Sequence, residues 1–448
     1  MKLPVLSITD VAEKQLCCGC GACAGVSPET IDMIDVLDHG RRPVVKPGME
    51  EDPRTLEAVK VCPGLDQSHT FDPADERYID ELTGTWGPIL EMYEGYAADN
   101  DVRLKGSSGG MATSLALFCM EQQGMHGTLH ITQRPEAPYL NKTVLSTSRE
   151  QVVEATGSRY APASPADRLH EIESAPSPCV FIGKPCDCVS VSKARRIRPD
   201  LDRKLGLVVG FFCAGTPTTS GTLDMLRRMG VDDLTRVKSL RYRGNGWPGK
   251  ATVVAEVEGK DEDHVGTLTY AQSWGEILSR HKQWRCNLCP DRTGEFADIA
   301  VGDPWYRGTP DGTDPGRSLI LVRTERGREI LKAAIEAGYV VAEPAENWKL
   351  PKSQVGFANL RGHIWGRLLT LKLFGIATPT YKRFPFFRHW ASELSLFEKI
   401  QSLGGTAKRV FRRRLRERVK MEPMSPEPSR VYPAPAREPA AGEVGASG

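Results

Sequence analysis

The sequence predicts a mixed α/β protein, in which an α/β core carries additional α+β segments. Two observations support this fold class. From Tyr93 onward, short runs rich in β-branched residues alternate with helical apolar patterns, which is typical of an α/β core. The chain also has 448 residues, 40% of them hydrophobic, enough for about two to four structural units with large cores. With 43 Gly and 32 Pro, it fits none of the disordered, collagen-like and coiled-coil classes.

The chain divides into five predicted segments. They are residues 1–75, loop-rich and carrying the first cysteines; 76–175 and 176–345, the two parts of the core; 346–420, helical and basic; and 421–448, a Pro/Glu/Ala/Gly-rich tail predicted to be disordered. Apolar patterns place strands at 127–132, 179–183, 205–213, 237–242, 250–257, 265–270, 297–302 and 318–323. They place helices at 111–118, 148–155, 167–174, 219–229 and 325–337, with residues 338–420 mostly helical.

Charge and hydropathy restrict the partners and the location of the protein. The net charge of +2 produces no global field that would attract nucleic acid, so no nucleic-acid partner is predicted. No apolar run approaches the roughly 18 residues needed to cross a bilayer. The N-terminal residues lack the apolar core of a secretion signal, so we expect a cytoplasmic protein.

Twelve cysteines in a reducing compartment indicate metal or redox chemistry when they are clustered. The first cluster is Cys17, Cys20 and Cys23, whose C-x2-C-x2-C spacing is typical of three thiolates around one [4Fe–4S] cluster. Cys62, followed by proline, supplies a fourth thiolate if a loop returns it to the others. Cys18 is predicted to face away from this group. A structural zinc site is the alternative.

A second cysteine group is dispersed along the core. Cys186 and Cys213 stand at the ends of predicted strands, and Cys286 and Cys289 form a Cys-x2-Cys loop. The four can converge into a second four-sulfur site, with Cys188 as a rival to Cys186. The alternative is a zinc loop at Cys286 and Cys289 with the other thiols buried. The two remaining cysteines, 119 and 179, are predicted to be core residues.

A glycine-rich turn precedes the helix predicted at 111–118. It consists of Ser107, Ser108, Gly109 and Gly110, whose backbone amides and helix dipole suit a phosphate or pyrophosphate. The turn matches neither the Rossmann nor the P-loop pattern, and a plain helix N-cap is the alternative. Arg103 and Lys105 add positive charge beside it. Since one-electron carriers need a two-electron partner to act on organic substrates, a flavin is the expected ligand.

Two further segments are candidate ligand contacts. Arg159 and Tyr160 follow a Thr-Gly-Ser sequence and could bind phosphate and stack on a ring, although an ordinary loop is the alternative. Asp303 stands at the exposed end of the strand predicted at 297–302, where ligands bind in α/β sheets. His281 is a candidate proton donor, but a lone histidine is more often structural, so no catalytic residue is assigned.

These motifs, taken in order over about residues 15–345, resemble the beta-subunit family of coenzyme F420 hydrogenase/dehydrogenase, which includes 7-hydroxymethyl chlorophyll a reductases. The resemblance implies an FAD-binding α/β domain with one cluster close to the flavin, and an N-terminal ferredoxin-like segment with a further cluster. The cluster ligands that it implies are Cys17, Cys20, Cys23, Cys62, Cys186, Cys213, Cys286 and Cys289. The flavin contacts that it implies are Ser107, Ser108, Gly109, Gly110, Ser158 and Tyr160.

The resulting prediction is an FAD-dependent iron–sulfur oxidoreductase with two [4Fe–4S] clusters. Electrons would come from ferredoxin or reduced coenzyme F420 and pass to a small organic substrate. The alternatives are a non-catalytic electron-transfer subunit of a larger complex and a zinc-stabilised binding protein. A homo-oligomer is compatible with the sequence. Phe411, Leu415 and Val419, spaced four apart in the basic stretch 408–420, predict a helix that contacts a membrane or an acidic partner, with docking on its own domain as the alternative.

Overall fold

The structure is a computed structural model that describes residues 6–308 and 314–424. Its strands are β1 Ile31–Val36, β2 Gly40–Val45, β3 Asp66–Ser68, β4 Glu91–Ala97, β5 Thr128–Arg134, β6 Ala137–Ser146, β7 Cys179–Gly183, β8 Leu205–Phe211, β9 Val237–Arg241, β10 Ala251–Ala255, β11 His264–Leu268, β12 Ile299–Gly302, β13 Ser318–Val322, β14 Val340–Pro344 and β15 Thr380–Lys382. The predicted tail lies outside the described residues from 425 onward.

The α-helices are distributed along the whole described chain. They are α1 Ile8–Glu13, α2 Ala22–Val26, α3 Pro53–Ala58, α4 Asp80–Trp86, α5 Asn100–Lys105, α6 Met111–Gln122, α7 Arg149–Glu154, α8 Leu169–Ser174, α9 Pro185–Ile197, α10 Pro199–Lys204, α11 Thr219–Arg228, α12 Glu325–Glu336, α13 Lys349–Ser353, α14 Phe357–Leu373, α15 Phe386–Ser392 and α16 Leu396–Arg412. Shorter 3₁₀ turns and one π-helical turn, Ala271–Ile277, connect them.

The core is an eight-stranded sheet with the order β14-β4-β13-β12-β8-β7-β5-β6. Strands β5, β7, β8 and β12 run parallel to one another, and the outer strands are antiparallel to their neighbours. Helices α6 and α12 cover one face through a core cluster that includes Val180 and Leu207. Helices α2, α8, α9 and α10 cover the other face around Phe181 and Val208. Because both faces are covered, the parallel strands β7, β8 and β12 are almost continuously apolar. The predicted mixed α/β class is therefore confirmed.

All eight predicted strands occur in the structure, with errors only at their ends, but seven further strands, β1 to β4, β6, β14 and β15, were not predicted. Strand β7 has the predicted bounds. Strand β8 ends at Phe211, two residues before Cys213, because the chain leaves the sheet there to line a cavity. Three antiparallel strands, in the order β11-β10-β9, form the small second sheet that the runs between 237 and 270 predicted. Residues 338–420 are mainly helical as predicted, with β14 and β15 in addition.

The C-terminal region packs on the N-terminal segment. Strand β15 pairs in parallel with β3, so that Thr380 lies opposite Asp66. A buried carboxylate, Glu295, joins the two regions further: it accepts a hydrogen bond from the Arg361 guanidinium of α14 and lies 2.7 Å from Nε2 of His69. His69 itself stacks on Phe296 with ring centroids 4.6 Å apart. Three segments distant in sequence are thus held at one charge cluster.

The basic stretch 408–420 does not form the single apolar stripe that the sequence predicted. Helix α16 ends at Arg412, so the predicted spacing is not continued on one helix. Val410 and Leu415 are buried against the protein's own core, whereas Phe411 is exposed. The backbone N–H of Val419 donates to the carbonyl of Glu13 in α1. The prediction of a continuous amphipathic helix is therefore wrong, and this segment docks on its own chain.

Replacing Glu295 by Gln should destabilise the protein by about 3 kcal/mol at neutral pH, because the buried Arg361 guanidinium loses its counter-charge. Burial opposes ionisation of the carboxyl, but Arg361 and His69 lower the pKa of Glu295 to about 2. The stabilisation is thus complete above the unfolded pKa of 4.5 and is lost as the pH falls through the folded value. Thermal unfolding at pH 7 measures the difference. The exposed Glu329→Gln is the control, and equal melting temperatures would contradict the assignment.

Candidate functional site

The first cysteine group surrounds a small apolar pocket next to α1. Cys17, Cys20, Cys23 and Cys62 line it together with Ile8, Val11, Met33, Pro43 and Pro63. The backbone N–H of Gly19 donates to the Cys17 sulfur at 3.3 Å. Gly21 has a φ of +85°, and a Cβ there would lie 2.7 Å from the side chain of Asp167. Only glycine therefore lets the cysteine loop pack this closely on the core.

Burial disfavours the ionised form of the thiols in this pocket. Burial raises the pKa of the Cys17, Cys20 and Cys23 thiols, and it raises that of Cys62 to about 12. Arg42 acts in the opposite direction on Cys17. Thiols in such a site become thiolates when a metal replaces their protons. Four cysteines in an apolar pocket with a backbone N–H on one sulfur are the donor set that a [4Fe–4S] cluster requires.

The second cysteine group lies between the core sheet and the C-terminal region. The backbone N–H of Thr216 donates to the Cys286 sulfur at 3.3 Å, and the Cys289 thiol donates to the carbonyl of Asp291 at 2.9 Å. Burial, followed by the neighbouring Cys286, raises the pKa of Cys213 to about 11. Cys186 stands at the start of α9 and is half-buried. These four thiols could hold a second cluster.

The structure distinguishes Cys186 from Cys188, the two alternative cluster ligands near the start of α9. Cys188 is fully buried and belongs to the apolar core between α9 and the sheet. Cys186 is only partly buried and lies close enough to Cys18 for the two thiols to influence each other's pKa. Cys18 was predicted to face away from the first group and was left out of both sites. In the structure Cys18 lines the first pocket, and it is also near Cys186 of the second group.

Within residues 6–308 and 314–424, no three His, Cys, Asp or Glu side chains converge on a position for a single metal ion. A four-iron cluster is held differently, since its thiolates bind separate iron atoms. The described helices include none that is long and apolar enough to cross a membrane.

A cavity of about 290 Å³ opens at the carboxyl ends of the parallel strands. The residues that follow β7, β8 and β12 line it, among them Lys184, Cys213 and Asp303. In open α/β sheets ligands bind at this edge, and the volume is near the lower end for small-molecule sites. Cys213 lines the cavity, and so does Thr216, whose backbone N–H donates to the Cys286 sulfur, so the cavity directly adjoins the second cysteine group.

The glycine-rich turn forms one wall of this cavity. Ser107, Ser108 and Gly110 line it, as do Ser158 and Tyr160. The Ser107 hydroxyl accepts a hydrogen bond of 2.6 Å from the backbone N–H of Ser158, so the two predicted flavin segments meet directly. The Ser108 hydroxyl is engaged elsewhere, since it donates to the carbonyl of Arg317 at 2.8 Å.

The glycines of the turn are required by the close approach of other backbone. Gly109 has a φ of +68°, and a Cβ there would lie 3.0 Å from the carbonyl oxygen of Gly316. Gly110 has the same φ, and its Cβ would lie 2.5 Å from the carbonyl oxygen of Val102. Gly109 supports the turn without being among the lining residues of the cavity.

A fully buried arginine organises the wall opposite the parallel strands. Both Nη atoms of Arg243 donate to the Asp303 carboxylate at 2.9 Å, and one also donates to the Tyr160 hydroxyl at 3.0 Å. The other donates to the carbonyl of Ser107 at 2.7 Å. Trp247 adds a third donor to Asp303, through Nε1 at 2.6 Å. Arg243 thus connects the turn, the second flavin segment and the strand end.

Sequence reasoning missed this arginine and the aromatic residues beside it. Arg243 and Tyr270 are separated from the turn by more than a hundred residues, and no local motif marks them. Tyr270 and Trp305 stack at 5.2 Å in the cavity wall, and the Arg243 guanidinium lies 5.0 Å from the ring centroid of Tyr270. The only available signal was Asp303 at its strand end.

Several charged residues predicted near the ligand have other roles. Arg103 donates to the carbonyl of Gly316 and stacks on Tyr96, and Lys105 is exposed; neither lines the cavity. Arg159 lines it, but its guanidinium donates to the carbonyls of Pro138 and Leu240, which leaves no support for the predicted phosphate contact. His281 is also absent from the lining and pairs with Asp224 at 3.0 Å.

The fold and the site define an α/β protein with a ligand cavity at its strand ends and two thiol groups beside it. The chain belongs to the coenzyme F420 hydrogenase/dehydrogenase beta-subunit family. The family's N-terminal model matches residues 92–170, and its C-terminal model matches residues 178–347. The matched regions contain the cavity and the second cysteine group, and the first cysteine group precedes them.

Individual relatives agree with this membership. The coenzyme F420 hydrogenase subunit beta of Methanosarcina barkeri is 25% identical over 269 residues, 59% of this chain and 84% of the relative. An F(420)H(2) dehydrogenase subunit of Methanosarcina mazei is 22% identical over 354 residues, 77% of this chain and 89% of the relative. The coenzyme F420-dependent sulfite reductase of Methanocaldococcus jannaschii is 23% identical over 346 residues, but this chain covers only 47% of it.

Among solved structures, a chain of the F420-reducing [NiFe] hydrogenase complex from Methanosarcina barkeri is similar to this one. The identity is 22%, the TM-score is 0.49, and the match covers 67% of this chain and 98% of the other.

Replacing Asp303 by Asn should lower the free energy of unfolding by about 3 kcal/mol, because the buried Arg243 would lose its paired charge. Burial alone would lower the pKa of Arg243, but Asp303 and Tyr160 raise it, so the guanidinium stays charged. Chemical denaturation of the full chain measures the change. Asp232→Asn, at an exposed position, is the control. A loss below about 1 kcal/mol, as for surface ion pairs, would contradict the role given to this pair.

Proposed function

We propose that this chain is an iron–sulfur flavoprotein oxidoreductase with FAD and two [4Fe–4S] clusters. One observation carries the proposal: Cys213 lines the cavity at the strand ends, and Thr216, which lines the same cavity, donates its backbone N–H to the Cys286 sulfur at 3.3 Å. A flavin in the cavity would then adjoin a cluster. The first cysteine group would hold a second cluster nearby, since Cys18 lines its pocket and lies near Cys186.

The residues that would hold these groups follow from the site. Cys17, Cys20, Cys23 and Cys62 would hold one cluster, and Cys186, Cys213, Cys286 and Cys289 the other. The flavin would contact the turn Ser107–Gly110 and the segment Ser158–Tyr160. When bound, FAD supplies two-electron chemistry and the clusters supply one-electron transfer.

The chain's own side chains would position and isolate these groups. Lys184 is buried at the cavity with its Nζ 2.7 Å from the Asp187 carboxylate, and although burial would lower its pKa, Asp187 raises it. It therefore places a buried ion pair with Asp187 at the cavity, next to Cys186. Arg243 fixes the turn relative to Tyr160, and the aromatic wall excludes water. Such surroundings tune the potentials of buried redox groups.

The electron donor would be reduced coenzyme F420 or ferredoxin, and the acceptor a small organic substrate. The names of the relatives favour reduced coenzyme F420 as the donor. They include a coenzyme F420 hydrogenase subunit, an F(420)H(2) dehydrogenase subunit and an F420-dependent sulfite reductase. The cytoplasmic location predicted from the sequence is part of the same proposal.

A second candidate function is a non-catalytic electron-transfer subunit of a larger complex. It is favoured because the relatives include hydrogenase and formate dehydrogenase subunits. Assay of the isolated chain distinguishes the two. Turnover of an organic substrate by the chain alone supports the complete enzyme, whereas reduction of the clusters without substrate turnover supports the subunit.

Anaerobically purified full-length protein should contain about eight iron atoms and one FAD per chain, since each four-iron cluster takes four cysteines. Cys20→Ala should leave about four iron atoms and retain the flavin, because the turn at Ser107 lies in another part of the fold. Iron, sulfide and flavin assays on one sample measure this. Cys119→Ala, in the core of α6, is the control. A colourless, zinc-containing protein without flavin would overturn the proposal.

Gly110→Ala should reduce the FAD content at least about tenfold, because the new Cβ would meet the Val102 carbonyl and displace the turn. Gly124→Ala is a matched control: Gly124 has a φ of +66°, and a Cβ there meets nothing within 4 Å. Both variants carry the same backbone strain, so their difference isolates the contact at the turn. Equal flavin contents in the two variants, with iron retained, would place the flavin elsewhere.

A further inference from the structure

Helix α16 packs on the protein mainly through small side chains. Its buried residues are Ser402, Thr406 and Val410. The approach to α14 is so close that a Cβ added at Gly366 would overlap the Ser402 hydroxyl. Nε1 of Trp390 in α15 donates to the same hydroxyl at 3.2 Å. The buried side of α16 therefore carries none of the large aromatic or leucine and isoleucine side chains of this helix.

Those large apolar side chains face solvent instead. They form the outer stripe of α16, which consists of Leu396, Phe397, Ile400 and Phe411, exposed by 74%, 73%, 61% and 64%. At about 3.6 residues per turn, the four positions lie within about 100° of the helix circumference, centred about 130° from the buried face. An amphipathic helix of a globular protein normally has the reverse arrangement. Apolar surface that stays exposed along one face in this way marks an interaction site.

The end of α14 extends the outer stripe and joins it to a cation. Leu373, the last residue of α14, is 77% exposed. The ring of the next residue, Phe374, lies 5.5 Å from that of Phe411, measured between centroids. The Arg416 guanidinium lies 5.2 Å from the centroid of the Phe374 ring. Apolar and basic surface are therefore continuous at this end of α16.

Positive charge is concentrated in the same part of the chain. Residues 396–420 contain nine basic and two acidic residues, although the net charge of the whole chain is only +2. One of the two acids, Glu398, caps the N-terminus of α16 together with Ser395. The exposed cations gather at the other end, and they are Lys408, Arg412, Arg413, Arg414 and Arg416. The outer stripe therefore ends in a strongly basic surface.

The charge and the shape of this surface select its partner. A second copy of the chain would bring the same cations against these, so like charges oppose self-association through the stripe. The stripe is also a ridge of protruding side chains on one helix, and a protein partner would have to supply a pocket for each of them. Lipid accepts protruding apolar side chains of any shape, and anionic headgroups attract clustered Lys and Arg.

We propose that the outer stripe of α16 binds peripherally to an anionic membrane surface. Its side chains would enter the boundary between headgroups and acyl chains, and the exposed cations beside it would contact lipid phosphates. This surface is not the stripe predicted through Phe411, Leu415 and Val419, since Leu415 is buried. Helix α16 stays docked on α14 throughout, because the stripe already faces solvent. The inference goes beyond the proposed function and does not depend on it.

The test is sedimentation of the full-length protein with lipid vesicles. We expect binding at about 0.05 M salt to vesicles of phosphatidylcholine with about one third phosphatidylglycerol, and at least about tenfold weaker binding to phosphatidylcholine alone. Raising the salt to about 0.5 M should also weaken the binding at least about tenfold, because it screens the cations. Wild-type protein that does not sediment with the anionic vesicles would overturn the proposal.

Two pairs of substitutions separate the apolar from the electrostatic contribution. Phe397→Asn with Ile400→Asn should weaken binding to the anionic vesicles at least about tenfold. Its control is Val265→Asn with Val341→Asn, which also removes two exposed apolar side chains, from β11 and β14.

Lys408→Glu with Arg416→Glu should weaken binding by a similar factor. Its control, Lys60→Glu with Lys250→Glu, changes the net charge equally at exposed positions outside α16. Vesicle binding equal to wild type in either test pair, or equally weakened in its control, would contradict the proposal.

A further variant covers the case in which the Asn pair does not fold. Phe397→Trp keeps the side chain large and apolar, so it should bind as the wild type does and add fluorescence that brominated lipid chains quench. Absence of this added quenching would overturn the proposal. If the wild type instead fails to bind vesicles and elutes as a dimer that Phe397→Asn with Ile400→Asn dissociates, the stripe is an interface between copies and the membrane proposal is wrong.

Discussion

The arrangement of this protein depends on one buried carboxylate. Glu295 lies six residues after the Cys-x2-Cys loop and binds Arg361 from α14 and His69 from the N-terminal segment. Burying a carboxylate is expensive unless its charge is compensated, so the contacts of Glu295 with Arg361 and His69 stabilise the position of all three segments. Arg361 also donates to the carbonyl of Pro290, next to Cys289. The geometry of the cysteine loop is thus set by residues outside the α/β core.

The location of the cavity follows from the sheet. Four parallel strands end at one edge, and the residues after three of them, Lys184, Cys213 and Asp303, face the same space. Parallel strands require covered faces, which helices on both sides provide, so a ligand reaches the sheet at this edge. The second cysteine group adjoins the cavity because β8 ends just before Cys213. Sheet topology therefore brings together groups that are more than a hundred residues apart in sequence.

Much of this could be predicted from the sequence, for identifiable reasons. Strand β7 has apolar β-branched residues and sharp boundaries, so its limits were predicted to the residue. The mixed α/β class followed from the alternation of strand-like and helical patterns along the chain. The sequence also grouped Cys62 with Cys17, and in the structure both residues line one pocket. The orientation of Cys18 and the position of Arg243 could not be predicted, because each depends on contacts between distant loops. The predicted apolar helix face through Phe411, Leu415 and Val419 was wrong, because the periodicity of the sequence does not show that the helix ends at Arg412.

The pairing of β15 with β3 also bears on the order of events during synthesis. Thr380 cannot lie against Asp66 until the ribosome has added more than three hundred residues after Cys62. For most of the synthesis between Cys62 and Thr380, the N-terminal cysteine loop lacks its C-terminal cover. The contact between Arg361 and Glu295 is also missing for most of this time. A nascent chain therefore presents the first thiol group without this cover until β15 has been synthesised.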